Sequence, residues 1–339
     1  MQRIGLMGCG TVAQYGHIPT LLATPGLTLS AIYDPSPEKL RIAQEQFHIP
    51  NVFTDVDEFF RSGIDAVSIT SPAPCHLQNV IDASRYGKHI LCEKPLAMTE
   101  EEITRMMAVT ADAGVMLFTG FDYRFSPMSQ KIHELIAQRV IGDVRSLRLI
   151  YIWDNHGKYT TINGQRVLSP RRVGRMEEGG PLVDCGVHQI DLARWWMGSE
   201  VVRWTAAGAW VDDFAAPDHI YLHMDHANGV HTMVEMSFSY CHTAAEPINV
   251  FTYELIGTDG LIRFDRTARV FEVRNSSGTQ QLEVTHEKNF DGMYAAFADA
   301  LEKGCSDMLP TAYDGLMATR IARTATEDVM AHRLQPQQV

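Results

Sequence analysis

Cysteine is scarce and unpatterned in this sequence. The six thiols, Cys9, Cys75, Cys92, Cys185, Cys241 and Cys305, are scattered, and no two form a C-x-x-C pair. That spacing argues against a disulfide framework or a structural zinc site and suits reduced thiols. Long apolar runs are missing as well. No window reaches the roughly 18 uninterrupted apolar residues of a membrane helix, so no membrane partner is expected. The first strand-like run begins at Arg3, which leaves no room for a signal peptide, and the Arg171-Arg172 pair is internal. A cytoplasmic location is the expectation. Positive charge is short: 29 Lys and Arg face 41 Asp and Glu, for a formal net charge of -12. Such a surface repels phosphate backbones, so nucleic acid is not an expected partner. A dinucleotide is not excluded, because backbone N–H groups can hold a pyrophosphate locally. Internal repeats and low-complexity segments are absent too.

What is present is a 339-residue chain, 45% hydrophobic and 21% charged, long enough for two ordinary domains. Its first 120 residues alternate buried-strand runs (3–8, 27–34, 65–70, 88–93, 115–120) with helix-length segments (11–24, 36–48, 74–86, 99–113). Thr99 with Glu102 forms a capping box at the start of the last of these. That alternation predicts an α/β fold with a doubly wound parallel Rossmann sheet. The pattern then changes. A helix near 127–139 and a long strand at 143–154 precede a Gly-, Arg- and Ser-rich loop (155–180) and a helix at about 181–197. Strands follow from 200 to 286, with Asn228-Gly229 as a hairpin cue, and helices near 290–303 and 312–331 close the chain. Residues 1–120 thus read as the dinucleotide-binding domain. Residues 121–339 read as an α+β domain with a mostly antiparallel sheet.

Gly8-Cys9-Gly10-Thr11-Val12-Ala13 matches G-x-G-x-x-A, directly after a strand and before a helix. Gly8 permits the tight turn, Gly10 lets the backbone approach a pyrophosphate, and the helix start at Thr11 and Val12 supplies N–H donors. Asp34 ends the second strand 24 residues after Gly10, near the ~20-residue spacing of a ribose-binding carboxylate. It would accept from both ribose hydroxyls and repel a 2′-phosphate, which favours NAD over NADP. A carboxylate that merely caps the next helix is the alternative.

Three further segments carry chemistry. Ser71-Pro72 with His76, and Glu93-Lys94-Pro95, lie at carboxyl ends of parallel strands, where such sheets place ligands. In GGPLVDCGVHQID (179–191), Asp184 and His188 are i and i+4, and Asp191 follows at i+3. A His flanked by carboxylates suits a general base that takes a hydroxyl proton. A buried His joining two helices is the bland alternative. An Asp-x-x-x-His metal pair lacks an obvious third ligand, so no metal is expected. His219, His223 and His226 lie on a strand that splits them between faces and read as sheet residues.

The glycine motif with Asp34, GKHILCEKPLA (87–97) and GGPLVDCGVHQIDLARWWMG (179–198) together resemble the family of glucose-fructose oxidoreductase and myo-inositol dehydrogenase (Gfo/Idh/MocA), over nearly the whole chain. The resemblance implies an NAD-dependent oxidoreductase acting on a sugar, inositol or related polyol. It implies Lys94, Asp184 and His188 as the catalytic set, contacting substrate, with Glu93 fixing the lysine. It also implies a homodimer or homotetramer built on the open face of the second sheet. Departures are Ser71-Pro72-Ala73 for Thr-Pro-Asn, which loses a side-chain amide, and Glu178 for the first of three glycines. FDYRFSP (121–127) matches a family segment crossing between the domains, whose Arg124 reaches the nicotinamide side or forms an interdomain salt bridge. Substrate candidates are Trp153, Asn155 and His156, with Arg171 or Arg172. Two other functions stay open: a glycosidase or lyase that uses NAD only transiently, and a non-catalytic NAD-binding regulator.

Overall fold

The computed structural model describes residues 1–153, 158–239 and 244–333. The chain divides into two compact units. One comprises Met1–Phe125 and Lys288–Thr319, the other Ser126–Glu287 and the residues from Arg320 onward.

The first unit holds a six-stranded sheet of β1 (Gln2–Met7), β2 (Leu27–Tyr33), β3 (Val52–Phe53), β4 (Ala66–Ile69), β5 (His89–Glu93) and β6 (Leu117–Gly120). All neighbours are parallel, in the order β3-β2-β1-β4-β5-β6. This is the Rossmann arrangement, whose order reverses between β1 and β4. The central strands are apolar runs because both sheet faces are covered. One core cluster joins Ile4, Leu6, Leu91 and Phe118 to Tyr294 and Phe297; the other joins Val67, Ile69 and Ile90 to Phe59, Phe60 and Leu316. Helices α1 (Ile18–Ala23), α2 (Pro37–Phe47), α3 (Val56–Arg61), α4 (His76–Arg85) and α5 (Glu100–Asp112) connect the strands. Ser36, Asp55 and Thr99 cap α2, α3 and α5, and the Thr99–Glu102 box forms as expected. β3 and α3 are too short to give a periodic signal in sequence. The returning segment, Lys288–Thr319, ties to β6 through Thr119, whose N–H donates to the Pro310 carbonyl at 2.8 Å.

The second unit starts with α6 (Pro127–Ala137) and β7 (Val144–Ile152). The stretch read as a loop at 155–180 contains a hairpin, β8 (Tyr159–Ile162) with β9 (Gln165–Leu168), and then helix α7 (Pro170–Glu177). Next come α8 (Val187–Met197) and seven strands: β10 (Val201–Ala209), β11 (His219–His226), β12 (His231–Ser237), β13 (Val250–Gly257), β14 (Gly260–Asp265), β15 (Val270–Asn275) and β16 (Gly278–Gln281). The eight-stranded sheet runs β10-β11-β12-β7-β13-β14-β15-β16, antiparallel throughout except for β12 beside β7. Its inner face packs on the helices, where Trp196 of α8 meets Tyr253 edge-on and donates to the Ser129 carbonyl of α6 at 3.0 Å. Helix α9 (Phe290–Lys303) lies in the returning segment; α10 (Ala312–Ala331) spans the division between the units.

Candidate active site

At the carboxyl end of β1 the chain turns at Gly8, with φ +106°. A Cβ there would lie 2.7 Å from the Ser71 backbone nitrogen, so contact with the turn after β4 requires glycine. Gly10 differs: a Cβ would meet no atom within 4 Å. The packing of the described residues therefore does not demand glycine at 10. The open backbone fits the close approach of a pyrophosphate. Beyond it Thr11 is exposed and Val12 half-buried where the helix begins. Asp34 is buried, and its Oδ2 accepts from the Cys9 N–H at 2.8 Å while Oδ1 accepts from the Ser36 N–H at 2.9 Å. The carboxylate thus braces the glycine turn itself, in addition to any ribose contact. Lys39 stands 4.0 Å from Oδ2. The Cys9 thiol, buried beside Asp34, is pushed up to about 12.

After β4, Thr70 donates to the Gly8 carbonyl at 2.7 Å, and Ser71 donates to Asn79 Oδ1 at 2.6 Å. Pro72 is exposed and leads into α4. His76 is buried, with Nε2 2.8 Å from the Ser71 carbonyl and Nδ1 3.1 Å from those of Pro95 and Leu96. The imidazole thus clamps the turn after β4, where His76 was expected beside a dinucleotide, to the segment after β5. Burial holds its imidazole below the ordinary value.

Lys94 is half-buried and leaves the end of β5 just ahead of a buried Pro95–Ala97 run. Its N–H donates to Glu93 Oε2 at 3.1 Å, and Glu93 Oε1 meets His17 Nε2 at 2.9 Å. Burial pushes the Glu93 carboxyl up, but the hydrogen bond and charge of His17, with the charges of Lys94 and Lys288, outweigh it and leave the group below its ordinary value. Arg124 is buried and paired with Asp314 at 3.2 Å, both in the first unit.

In the second unit, Gly179 and Gly180 take φ +122° and +74° after α7, and a π turn at Leu182–Gly186 runs into α8. Asp184 sits in that turn and His188 in the first turn of α8, both buried, with Asp191 buried further along. Arg175 Nε lies 3.8 Å from Asp184 Oδ2, its other end held by Glu178 at 2.6 Å. Trp153 is half-buried, stacked on Tyr151 at 4.9 Å and packed by the cluster of Met176, Ala216 and Phe238. Of the two arginine candidates, Arg172 is turned inward, bound to Asp212, Ser239 and the Phe238 carbonyl, and Arg171 is exposed. Asn155 and His156 lie outside the described residues. His219 and His223 face one side of β11 and His226 the other, as the spacing implied. Among the described residues no three His, Cys, Asp or Glu side chains gather as a metal site, and no helix is long and apolar enough to cross a membrane.

Residues 2–121 match the oxidoreductase family of NAD-binding Rossmann fold named Gfo/Idh/MocA, and residues 129–263 match the C-terminal domain of the same family. The chain belongs to the Gfo/Idh/MocA family. It is 25% identical to an uncharacterised oxidoreductase, YrbE, of Bacillus subtilis, over 96% of this chain and 93% of that protein. It is 30% identical to the myo-inositol 2-dehydrogenase of Thermotoga maritima, over 61% of this chain and 58% of that one. The crystal structure of a probable dehydrogenase from Thermotoga maritima superposes with a TM-score of 0.79 at 25% identity, over 98% of each chain. This Gfo/Idh/MocA chain is accordingly an oxidoreductase with an NAD-binding domain.

Sequence reasoning missed three groups in this family member: His17 and Tyr294 behind Glu93, and Arg175 beside Asp184. A signal existed for Arg175, because Ser169-Pro170 is an N-cap followed by a first-position proline that announces α7. His17 and Tyr294 are 277 residues apart and left no local signal.

Proposed function

We propose that the protein interconverts a secondary alcohol and a ketone of a polyol, inositol or sugar in the cytoplasm, with NAD as the preferred cofactor. Residues 1–120 would bind the dinucleotide, and residues 121–339, less the returning segment, the substrate. The observation that supports this most is the placement of Lys94: its backbone is fixed by the half-buried Glu93 carboxylate at the same strand ends as the open Gly10 turn and Asp34. Bound NAD supplies a hydride acceptor in one direction and a donor in the other.

The chain's own residues supply the rest. Lys94 donates a hydrogen bond to the reacting oxygen and stabilises the negative charge that develops there. His188 takes the hydroxyl proton during oxidation and returns it during reduction. Asp184 orients the imidazole or a neighbouring substrate hydroxyl, with Arg175 Nε 3.8 Å from that carboxylate. Trp153, Asn155 and His156 are the proposed substrate contacts. The outer face of the eight-stranded sheet, which exposes Tyr221 and Ile256, is proposed to pack on another copy as a homodimer or homotetramer; a monomer in sedimentation velocity overturns this.

The test is NADH formation at 340 nm over a panel of inositols, polyols and aldoses, with NAD and NADP side by side. Lys94→Ala should lower turnover by about 10²–10³-fold, as removal of a single oxyanion donor does, with NAD affinity kept. Turnover equal to wild type removes Lys94 from the mechanism. A silent panel with intact NAD binding favours the transient-redox glycosidase, which the same sugars as aryl glycosides would reveal, or a reductase running the other way, which NADH consumption with the matching keto-sugars would reveal.

A further inference from the structure

Behind Glu93 the first unit buries a chain of polar groups drawn from four elements. His17 Nε2 meets Glu93 Oε1 at 2.9 Å, with the His17 side chain 1% exposed. His17 Nδ1 meets the Tyr294 hydroxyl at 2.6 Å, and that hydroxyl meets Ser68 Oγ at 2.6 Å. Ser68 is on β4, Glu93 ends β5, Tyr294 is on α9, and His17 ends a π turn, Ala13–His17, that follows the glycine turn. Phe290 and Tyr294 enclose the imidazole edge-on at 4.9 and 5.7 Å. A Cβ on Gly16 would lie 2.7 Å from the Phe290 ring, so α9 sits directly against the turn. Burial drives the Tyr294 phenol far above its usual range, which leaves it a hydrogen-bonding group and nothing more.

Apolar side chains of the same size would hold these elements together without the desolvation of four polar groups. Here each group is satisfied by the next, and the chain ends on the backbone of one residue, Lys94. A carboxylate gripped at both oxygens cannot turn about its side-chain bonds, and the amide it holds sets where the lysine side chain departs. We propose that His17, backed by Tyr294 and Ser68, is a positioning residue for Lys94: it locks Glu93 so that the lysine ammonium is held at the reacting oxygen. This rests on the role given to Lys94 above and adds to it a device reaching into the segment that returns from the far end of the chain.

The experiment is a double-mutant cycle. His17→Leu, His17→Gln and Tyr294→Phe are made in the wild type and in Lys94→Ala. Each is assayed by NADH formation with the fastest sugar of the panel, and NAD affinity and the melting midpoint are recorded alongside. His17→Leu should lower kcat about 10- to 100-fold, the loss expected of a misplaced catalytic group, with KM and NAD affinity unchanged. His17→Gln, whose amide can donate to Glu93, should recover most of that loss. In the Lys94→Ala background the same changes should lower the residual rate no further, because they act through the missing lysine. An equal loss in both backgrounds, or full kcat in His17→Leu and Tyr294→Phe, overturns the proposal. Tyr294→Phe removes a single oxygen and serves if His17→Leu does not fold. Wild-type turnover in Lys94→Ala alone would instead strike the functional reading. If no sugar is turned over, the protein is reductively methylated with a 13C label in the presence of NAD. The Lys94 methyl resonance, assigned by its loss in Lys94→Arg, should move in Tyr294→Phe; an unmoved resonance is the refuting result.

Discussion

Two glycines two residues apart should fail in opposite ways when a methyl group is added. At Gly8 the methyl enters the protein: the backbone is at φ +106°, and the nearest atoms, 2.7–2.9 Å away, are backbone atoms of Thr70 and Ser71 that cannot swing aside. The left-handed conformation costs about 1–2 kcal/mol for a residue with a Cβ, and overpacking adds roughly 1–3 kcal/mol. Gly8→Ala should therefore destabilise the first unit by about 2–5 kcal/mol. At Gly10 the methyl meets no atom within 4 Å, so stability should change by less than about 0.5 kcal/mol. The same methyl occupies the space through which a pyrophosphate would reach the turn. Loss of one hydrogen bond to a charged group costs about 1.5–3 kcal/mol, which is roughly 10- to 100-fold in affinity. Thermal unfolding of both variants, paired with calorimetric titration of NAD, separates the two effects. The reasoning fails if Gly10→Ala binds NAD as tightly as the wild type, or if Gly8→Ala melts at the wild-type temperature.

Asp34→Asn tests a carboxylate given two tasks. An amide cannot accept from both the Cys9 and Ser36 N–H groups, so stability should fall by about 1–3 kcal/mol in urea unfolding. Titration of both cofactors should show the preference for NAD over NADP narrowing; an unchanged preference would leave Asp34 as a brace only. His76 predicts a pH dependence. Because burial lowers its folded value, the unfolded chain takes up a proton near pH ~6.5 that the folded protein refuses. Its contribution is whole above that pH and is lost as pH falls toward the folded value, by at most about 1.4 kcal/mol per unit. His89 and His226, lowered by burial as well, add slopes of the same sign. His76→Gln should make the fall in urea midpoint between pH 7 and pH 5 shallower; an identical slope would show that the buried imidazole is not a source of it.

The parts of the site that sequence revealed are those whose causes are local. Gly8 and Asp34 lie at the ends of adjacent strands, and a turn next to a strand end is visible in a few residues. The same holds for Glu93-Lys94-Pro95 and for the cap at Thr99. What stayed hidden depends on partners distant in the chain. The apolar stripe of α9 announces a helix but does not name the sheet it covers, so the segment beginning near 290 read as part of the second domain while Tyr294 and Phe297 belong to the first core. For the same reason the sequence did not tell Arg172 from Arg171 as a substrate candidate, whereas in the structure Arg172 is buried against Asp212. Only recognition of α7 would have shown which arginine of PRRVGR faces Asp184.

The two segments that carry the proposed chemistry share a backbone irregularity. Ala13–His17 and Leu182–Gly186 are π turns that pass directly into α-helices. A π turn bonds i to i+5, inserts a residue into the helical count and rotates the next helical turn out of α register. Asp184 lies inside such a turn and His188 just beyond it, so their four-residue spacing does not stack them as it would in a plain α-helix. An i, i+4 spacing in the sequence therefore overstates how closely the two side chains align. Each turn also contains a closely packed glycine: a Cβ would lie 2.7 Å from the Phe290 ring at Gly16 and 2.7 Å from the Leu182 side chain at Gly186. A side chain at Gly16 would have to displace the Phe290 ring, whereas at Gly186 it would meet the movable end of Leu182. A rare turn persists where its surroundings over-determine it. In this chain those surroundings lie beside His17 in one unit and Asp184 in the other, where small rotations of a side chain decide which atoms it can reach.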